Sequence, residues 1–386
     1  MGALPVLRDK VPPISSLLIK PASALCNLNC AYCFYLDRNT DPYKNLPVRI
    51  MSGETFRVMI GKFMEYSYPQ AVFAWQGGEP TLAGTAFFEK ACRLQRLYGR
   101  DGHTVSNSLQ TNGTLLNERW CRIFTDYNFL LGISLDGPEE VHDLYRRNKG
   151  GRGTWRKVMA GIELLRRYGV AFNILCVVSK ANVRRAKDLY RFYGRLGVRH
   201  IQYIPLAEFR ADGSPLDWTI TPQEYGRFLA ETFRLWWPNR RRVRIRLFDN
   251  IAEALTGLPP GNCALHERCD TYTVVEHNGD VYPCDFFVRP EWKLGNVNLD
   301  SFTEIANRQR RIGFAEKKSL SHPECLTCEY LLLCRRGCPK LREGRRGLFE
   351  DLDYFCESYR LLFRMAVPKL RVEVEKIVGA QSTFHG

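Results

Sequence analysis

The sequence predicts an α/β fold, a partial (β/α)6 barrel of the TIM type followed by a smaller cysteine-rich domain. Up to about residue 250, six strand-length apolar runs alternate with six helix-length segments, which is the pattern of a parallel sheet flanked by helices. Beyond that point the alternation stops, and eight of the fourteen cysteines follow in short runs with glycines. The 386 residues are enough for one large and one small domain.

The order of the elements justifies the barrel. The predicted strands are residues 16–20, 71–75, 105–110, 129–135, 170–178 and 200–206. The predicted helices are residues 52–66, 86–98, 117–126, 154–168, 182–196 and 221–237. The last of these has a favourable start at Thr221-Pro222-Gln223-Glu224, with a capping threonine, proline in the first turn and glutamate three residues after the cap. Six strand–helix units are fewer than the eight of a closed barrel, so an open, partial barrel is expected.

The C-terminal part is predicted to contain a hairpin and a final helix. Residues 272–276 and 280–282 flank Asn278-Gly279, a dipeptide that favours a tight β-turn. A helix is expected over residues 359–378. We therefore predict a barrel over residues 1–250, a cysteine-rich domain over residues 251–360, and a C-terminal helix and tail over residues 361–386.

Polar motifs occur where the predicted strands end. A cysteine loop over residues 26–33 follows the first strand, residues 76–80 follow the second and residues 111–113 follow the third. Residues 134–137 lie at the end of the fourth strand. In barrels of parallel strands the working residues sit at the carboxyl ends of the strands, so the site is predicted at this edge.

Composition narrows the location and the partners of the protein. No apolar run approaches the roughly 18 residues of a membrane span, and the first ten residues lack the apolar stretch of a signal peptide. Fourteen cysteines without an export signal indicate metal or cluster binding rather than disulfides, because the cytosol keeps thiols reduced. We expect a cytoplasmic protein with no membrane partner.

The net charge of +15 is compatible with an anionic partner. The arginines are scattered, however, and the densest group is not interleaved with aromatic residues as a single-strand binding groove would be. That group is Arg240, Arg241, Arg242, Arg244 and Arg246. A solvated basic surface is the favoured interpretation, and no nucleic-acid partner is predicted.

Cys26, Cys30 and Cys33 form a C-x3-C-x2-C loop directly after the first strand. Three thiolates leave one iron of a 4Fe–4S cubane open to a small molecule, whereas a fully ligated cluster normally transfers electrons only. A structural zinc site would instead want four ligands. The loop therefore predicts a cluster with an open, substrate-facing iron.

Eight later cysteines are numerous enough for two four-ligand clusters. They are Cys263, Cys269, Cys284, Cys325, Cys328, Cys334, Cys338 and Cys356. Tetrahedral all-sulfur sites could equally hold zinc, and the spacing alone leaves both interpretations open. The other three, Cys92, Cys121 and Cys176, lie in apolar patterns and are expected in the core.

These motifs resemble the radical S-adenosylmethionine (SAM) superfamily. The loop with Tyr32 before its last cysteine, and Gly77-Gly78-Glu79-Pro80, match motifs of that superfamily, and the eight-cysteine tail resembles the SPASM domain, which holds two auxiliary 4Fe–4S clusters. More narrowly, the sequence is similar to anaerobic sulfatase-maturating enzymes from residue 12 to about residue 370. The strings that carry this similarity are residues 12–21 with the cysteine loop, 76–84 (QGGEPTLAG), 108–115 (SLQTNGTL), 172–179 (FNILCVVS) and 282–288 (YPCDFFV).

The resemblance implies three 4Fe–4S clusters and SAM as cofactors, with a ligand set for each. Cys26, Cys30 and Cys33 match the cluster that binds SAM. Cys263, Cys269, Cys284 and Cys338 match one auxiliary cluster, and Cys325, Cys328, Cys334 and Cys356 match the other. The positions that match the SAM site are Tyr32, Gly77, Gly78, Glu79, Ser134, Arg146 and Leu206.

Three charged residues have competing interpretations. Asp285 matches the family's proton acceptor and follows Cys284 directly, which puts a carboxylate beside a cluster ligand, although aspartate also commonly fills surface turns. Glu79 could be a helix-start acid, but the motif favours the ammonium group of SAM as its partner. Arg146 could be an ordinary surface arginine, but its fork suits a carboxylate or ribose oxygens.

The resemblance implies oxidation of a cysteine or serine in a sulfatase to Cα-formylglycine. A 5′-deoxyadenosyl radical from SAM takes a hydrogen atom from Cβ, and a proton and a second electron then leave, the electron to an auxiliary cluster. The implied partners are an unfolded or peptide segment of the sulfatase and a reduced flavodoxin or ferredoxin-type donor. The alternative is a SPASM-type enzyme that modifies or crosslinks a ribosomally made peptide. A third class, a non-enzymatic metal- or nucleic-acid-binding protein, is opposed by the open three-cysteine loop.

Overall fold

The computed structural model describes residues 14–35, 42–43, 45–47, 49–342 and 349–382. The chain divides into two compact units, each made of three segments. The first unit comprises Met1–Ile133, Arg147–Phe172 and Cys269–Ala315, and the second comprises Ser134–Arg146, Asn173–Arg268 and Glu316–Gly386. The predicted domains, with boundaries near residues 250 and 360, are continuous stretches of chain and stay a prediction. The two observed units instead alternate along the sequence.

The described residues form ten strands and thirteen α-helices, connected by loops and short 3-10 turns. The strands are β1 (Ser16–Ile19), β2 (Gln70–Trp75), β3 (Thr104–Thr111), β4 (Leu130–Ser134), β5 (Phe172–Val178), β6 (His200–Pro205), β7 (Arg244–Ile245), β8 (Thr273–Val275), β9 (Asp280–Tyr282) and β10 (Gly295–Asn296). The helices are α1 (Gly53–Tyr66), α2 (Thr85–Tyr98), α3 (Glu118–Asp126), α4 (Glu139–Tyr145), α5 (Trp155–Arg167), α6 (Ala186–Arg195), α7 (Pro222–Trp236), α8 (Arg246–Leu255), α9 (Phe302–Ile312), α10 (Phe314–Lys317), α11 (Pro323–Leu326), α12 (Leu331–Cys334) and α13 (Cys356–Ser382).

The six predicted strand–helix units are present in chain order as β1–α1, β2–α2, β3–α3, β4–α5, β5–α6 and β6–α7. The predicted hairpin is β8 and β9, which pair in antiparallel fashion. The sequence pattern missed α4 and α8, which have 7 and 10 residues and are too short to show a sustained helical period. The final helix begins at Cys356, earlier than predicted.

In the first unit the strand order is β10-β9-β8-β1-β2-β3-β4. Strands β1 to β4 are parallel to their neighbours, and β8 is parallel to β1. Leu17 of β1 pairs with Phe73 on one side and Thr273 on the other, and its side chain is fully buried. A central parallel strand is covered on both faces, which explains why β1 reads as an unbroken apolar run. The residues that follow β1 therefore start from the middle of the sheet.

Aromatic side chains fill the core of the first unit. Phe73 and Trp75 of β2 alternate onto one face, where the ring of Phe63 from α1 lies 5.3 Å from that of Phe73. Phe88 of α2 contacts Trp75 edge-to-face at 5.2 Å, a favourable arrangement for aromatic rings. The indole N–H of Trp75 donates to Asn107 Oδ1 at 2.9 Å, so the buried polar atom is satisfied.

The second unit contains the parallel strands β5, β6 and β7, with α7 packed against α6 and α13. Helix α7 starts with the predicted capping box, in which Thr221 and Glu224 each bond the other's backbone N–H. Gly226 lets α13 approach closely, because a Cβ there would lie 3.3 Å from Ser358 Cα. Among the residues that the structure describes, no helix is both long enough and apolar enough to cross a membrane.

Candidate active site

The loop after β1 carries Cys26, Cys30 and Cys33, of which Cys30 is buried and the other two are partly buried. The backbone N–H of Leu28 donates to Cys26 Sγ at 3.3 Å, and Asn112 Nδ2 donates to the same sulfur at 3.8 Å. Such donors stabilise a thiolate that ligates iron. Burial raises the pKa of Cys26 to about 11, so its ionisation near neutral pH depends on a bound cation. The loop therefore fits a thiolate-bound cluster.

The glycine pair after β2 packs against the residues that lead into the cysteine loop (residues 26–33, called the cluster loop below). The N–H of Gly78 donates to the carbonyl of Ser23 at 2.7 Å, and the N–H of Glu79 donates to that of Leu25 at 2.8 Å. A Cβ at Gly78 would lie 2.1 Å from the Leu25 carbonyl oxygen, a backbone atom that cannot swing aside. Gly77 has a φ of +119°, which L side chains rarely adopt. The close approach of these two loops thus requires both glycines.

Glu79 ties the end of β2 to the end of β3. Its side chain is fully buried, and Oε1 accepts hydrogen bonds from the backbone and hydroxyl of Thr81 and from the hydroxyl of Thr111. Oε2 accepts from the backbone N–H of Asn112 at 2.8 Å. Burial raises the pKa of Glu79, and these donors oppose that rise by favouring the carboxylate. The predicted bond from Glu79 to the SAM ammonium stays a prediction.

The other residues predicted to contact SAM are divided between the units. Tyr32 is buried in the first unit, whereas Ser134, Arg146 and Leu206 belong to the second. Arg146 is 8% exposed and forms a bidentate ion pair with Asp136, with distances of 2.8 and 3.2 Å. The interpretation of Arg146 as an ordinary surface arginine is therefore wrong. The SAM contacts of all four residues stay predictions.

Asp285 is buried and surrounded by donors from the first unit. Lys20 Nζ lies 2.6 Å from Oδ1, and the hydroxyl of Tyr35 donates to Oδ2 at 2.6 Å. Gln76 Nε2 donates to the same Oδ2 at 3.4 Å. These partners follow β1, the cluster loop and β2 respectively. Asp285 begins a short 3-10 turn, but its burial and ion pair exclude an exposed turn residue.

Lys20 is shared between two buried carboxylates. Its Nζ also donates to Glu276 Oε1 at 2.8 Å, and both of these side chains are at most 3% exposed. Burial opposes ionisation of Glu276, but Lys20 and His277 together hold its pKa down at about 2. With Asp285, Lys20 and Glu276 all ionised, the triad carries one net negative charge.

Sequence reasoning missed Lys20 and Glu276, although a signal was present. Each residue ends an apolar run, SLLIK and TYTVVE, at the carboxyl end of a predicted strand. A charge in that position is buried on folding and must find a partner. Tyr35 and Gln76 lie in or beside the motifs and were not singled out, because nothing local in the sequence indicates that they meet Asp285.

In the second unit, a pocket brings together four of the C-terminal cysteines. Its lining includes Cys325, Cys328, Cys334 and Cys356, with Tyr330, Leu331, Tyr359 and Phe363 around them. Burial raises the pKa of Cys334 to about 12 and that of Cys356 to about 11, so both thiols need a metal to ionise. Arg336 and Arg360 complete the lining, so aromatic, aliphatic and cationic side chains surround the four sulfurs. Such surroundings suit an anionic iron–sulfur cluster, whose potential they tune.

The remaining cysteines lie in separate parts of the fold. Cys263 and Cys338 belong to the second unit, and Cys269 and Cys284 to the first. The described residues include no group of three or more His, Cys, Asp or Glu side chains placed to hold a single metal ion. All eleven cluster-ligand assignments stay predictions. Cys92, Cys121 and Cys176 are buried, which confirms their expected place in the core.

Two family models match the chain. The radical SAM superfamily matches residues 21–193, and the SPASM iron–sulfur cluster-binding domain matches residues 263–329. The cysteine-type anaerobic sulfatase-maturating enzyme of Clostridium perfringens (strain 13 / Type A) is 38% identical over 371 residues, which cover 93% of this chain and 98% of the relative. The serine-type enzyme of Bacteroides thetaiotaomicron is 36% identical over 385 residues, which cover 95% of this chain and 92% of the relative.

A solved structure agrees with these relatives. Native anSMEcpe with bound AdoMet and Kp18Cys peptide superposes with a TM-score of 0.85 and 36% identity, covering 94% of this chain and 99% of that one. The match confirms the predicted α/β fold, a partial barrel with a C-terminal SPASM domain. The predicted cofactors, SAM and 4Fe–4S clusters, are those of the matched families. The chain therefore belongs to the anaerobic sulfatase-maturating enzymes of the radical SAM superfamily.

Proposed function

We propose that this protein oxidises a cysteine or serine side chain of a sulfatase to Cα-formylglycine. One relative named as a cysteine-type enzyme and one named as a serine-type enzyme each match it over more than nine-tenths of its length. The observation that carries the proposal for this chain is the buried carboxylate of Asp285, directly after the predicted cluster ligand Cys284 and held by Lys20 and Tyr35. This is the arrangement that an oxidation losing one proton and one electron together requires.

The loops at the carboxyl ends of the strands hold the cofactors in this proposal. Cys26, Cys30 and Cys33 would hold the cluster that binds SAM. The backbone of Gly77 and Gly78 packs against the chain that leads into this loop. Bound SAM and the clusters supply a 5′-deoxyadenosyl radical that removes a hydrogen atom from Cβ and an acceptor for the second electron. The further SAM contacts are assigned to Tyr32, Glu79, Ser134, Arg146 and Leu206.

Asp285 is the proton acceptor in this proposal. Once a hydrogen atom has left Cβ, the thiol or hydroxyl proton of the target must also leave, and an Asp285 carboxylate oxygen would receive it. A serine target is then already the aldehyde, whereas a cysteine target is a thioaldehyde that water hydrolyses with release of hydrogen sulfide. The donors Tyr35 and Gln76 both bond Oδ2, which fixes the plane of the carboxylate. A base that is held within hydrogen-bond reach of its proton accelerates such a step.

Lys20 positions this base and sets its charge balance. Because Glu276 also binds Lys20, the triad can take up one proton and become neutral rather than leave a net positive charge in the interior. Without Lys20, two carboxylates would remain in the interior with no cation between them, which is costly. Lys20 therefore keeps Asp285 ready to accept a proton.

A peptide assay tests the proposed oxidation directly. Reconstituted enzyme, SAM and dithionite are incubated without oxygen with a sulfatase-motif peptide that carries cysteine, and in parallel with one that carries serine. We expect mass spectrometry to show conversion of the target to an aldehyde in at least one of them, and an alanine peptide serves as the control. A product that contains an internal crosslink and no aldehyde would support the alternative peptide-crosslinking activity instead.

Replacing Lys20 with methionine is expected to shift the pH dependence of formylglycine formation. The change keeps the apolar stem and removes the cation that holds down the pKa of Glu276, so this carboxylate beside the base ionises only at higher pH. We expect the ascending limb of the profile to move upward by about one to three pH units, the usual effect of losing an adjacent opposite charge. Formylglycine is measured by mass spectrometry across the pH range.

Lys62→Met is the matched control for this variant. Lys62 lies in the same unit, and its Nζ donates to the carbonyls of Val297 and Asp300 rather than to Asp285. Its profile should coincide with that of the unmodified protein. An unshifted profile in Lys20→Met, with activity retained, would mean that Lys20 has no influence on the base.

The partners follow from the same chemistry. The substrate is an unfolded or peptide segment of the sulfatase, since the target side chain must reach a buried carboxylate. The electron for SAM cleavage comes from a reduced flavodoxin or ferredoxin-type protein. We place the protein in the cytoplasm, where thiols that bind clusters stay reduced.

A further inference from the structure

A strongly basic stretch of chain contacts the cluster loop. Residues 147–157, the basic segment, contain five cations and no acidic residue. The cations are Arg147, Lys149, Arg152, Arg156 and Lys157, and all five are exposed. The basic segment therefore presents five cationic side chains to solvent.

The contact with the cluster loop is through the backbone. The N–H of Asn29 donates to the carbonyl of Arg147 at 2.7 Å, and Leu28 forms an isolated antiparallel bridge with Asn148. Lys149 and Lys157 line a hollow of about 320 Å³ whose wall includes Asn27. The positive surface therefore adjoins the stretch between Cys26 and Cys30. Leu28, which bridges the basic segment, is two residues from each of these cysteines.

Two of these cations stand in the first turn of a helix, where acidic side chains are preferred. Helix α5 begins at Trp155 and has no acidic residue in its first turn, where Arg156 and Lys157 stand instead. Acidic side chains stabilise that end of a helix, whereas cations there are repelled by the positive end of its dipole. The arrangement leaves a concentrated positive potential on the surface and attracts anions.

We propose that the basic segment is the docking surface for an acidic, low-potential electron-transfer protein that reduces the cluster at Cys26, Cys30 and Cys33. The inference rests on the proposed function, which requires one electron from outside for each SAM cleaved. In each encounter one electron leaves the reduced donor and enters the cluster, and no bond forms or breaks. Electron transfer slows steeply with distance, so a donor must approach the cluster loop itself.

The peptide substrate is the competing occupant, and the geometry favours the donor. The basic segment contacts the loop between Cys26 and Cys30, whereas the proposed base Asp285 bonds Tyr35, which lies beyond Cys33. Redox encounters use small, wet and weakly bound interfaces, for which a few exposed lysines and arginines suffice. Charge complementarity of this kind accelerates association and depends strongly on salt.

The test compares two double variants of the cluster-loaded enzyme. Lys149→Glu with Lys157→Glu reverses the basic segment, and Arg310→Glu with Arg311→Glu makes the same change of net charge on α9. SAM cleavage is driven either by flavodoxin kept reduced with NADPH and its reductase, or by dithionite. Deoxyadenosine is measured at low and high salt, and flavodoxin binding is measured separately by titration calorimetry.

We expect the basic-segment variant to lose about tenfold or more of its flavodoxin-driven rate and affinity at low salt, within the range of electrostatic steering. Its dithionite-driven rate should stay within about twofold of the unmodified protein, and the α9 variant should change little in either assay. Equal losses in both variants would overturn the proposal, because net charge alone would then account for them. An unchanged flavodoxin-driven rate would also overturn it.

A change in the dithionite-driven rate or in the peptide KM of the basic-segment variant would assign the surface to the cluster or to the substrate instead. Deoxyadenosine formation and flavodoxin binding can both be measured without formylglycine formation. A failure of the proposed peptide oxidation is therefore seen separately, as missing aldehyde in the dithionite-driven peptide assay of the unmodified protein.

Discussion

Cys30→Ala is expected to abolish deoxyadenosine formation. With two thiolates left on the loop, a cubane is poorly held, and no iron remains in place to receive SAM. The eight predicted ligands of the other two clusters are unaffected by the change. Iron should therefore fall by about four atoms per chain from about twelve, the content of three cubanes. Iron and zinc analysis of the anaerobically reconstituted protein, beside the deoxyadenosine assay, measures both effects.

Cys92→Ala is the matched control for the loss of Cys30. Cys92 is also buried in the first unit, on α2, but it lies in an apolar core position and is predicted to bind no iron. Its removal should leave the iron content and the SAM cleavage essentially intact. SAM cleavage near the unmodified rate in Cys30→Ala would contradict the assignment of the cluster loop. A content of about four irons and two zincs in the unmodified protein would mean that the eight later cysteines hold zinc.

Asp285→Asn is expected to separate SAM cleavage from product formation. The amide keeps the shape of the side chain and can still accept a hydrogen bond from Tyr35, but it cannot take up a proton. Deoxyadenosine should still form in the presence of peptide, while formylglycine falls by about two to four orders of magnitude, the usual worth of a positioned general base. The serine peptide should lose more than the cysteine peptide, because a thiol with a pKa near 8.5 gives up its proton more readily than an alcohol.

Both products are measured in one anaerobic assay, with Asp300→Asn as the control. Asp300 belongs to the same unit, and its carboxylate pairs with Arg308 rather than with Lys20. A parallel fall of deoxyadenosine and formylglycine in Asp285→Asn would show that the residue positions the peptide or supports the adjacent cluster ligand. Unchanged formylglycine would place the base elsewhere.

The parts of the fold that depend on local pattern could be predicted from the sequence. Strand β1 reads as apolar because both of its faces are covered, and the capping box at Thr221 is a four-residue signal. The cysteine loop is equally local, since its ligands lie within eight residues of each other. Motifs of this length can be recognised without knowledge of the tertiary structure.

The surroundings of Asp285 could not be predicted in this way. Lys20 and Glu276 are 256 positions apart, and they meet because β8 pairs with β1 in the register that places Ile19 opposite Val275. A shift of one residue would turn each side chain to the other face of the sheet. The sequence spacing carries no information about that register. The ion pair of Arg240 was missed for the same reason, because Glu373 is distant along the chain.

The contact between Gly78 and the carbonyl of Leu25 couples two binding sites through the main chain alone. There is no space for even a methyl group at this point, and the two loops share the hydrogen bonds from Gly78 to Ser23 and from Glu79 to Leu25. The loop predicted to hold iron therefore cannot move without displacing the loop assigned to SAM. Assembly of the cluster and binding of SAM are therefore expected to be thermodynamically coupled. Iron loss should weaken SAM binding even where every side chain assigned to SAM is intact.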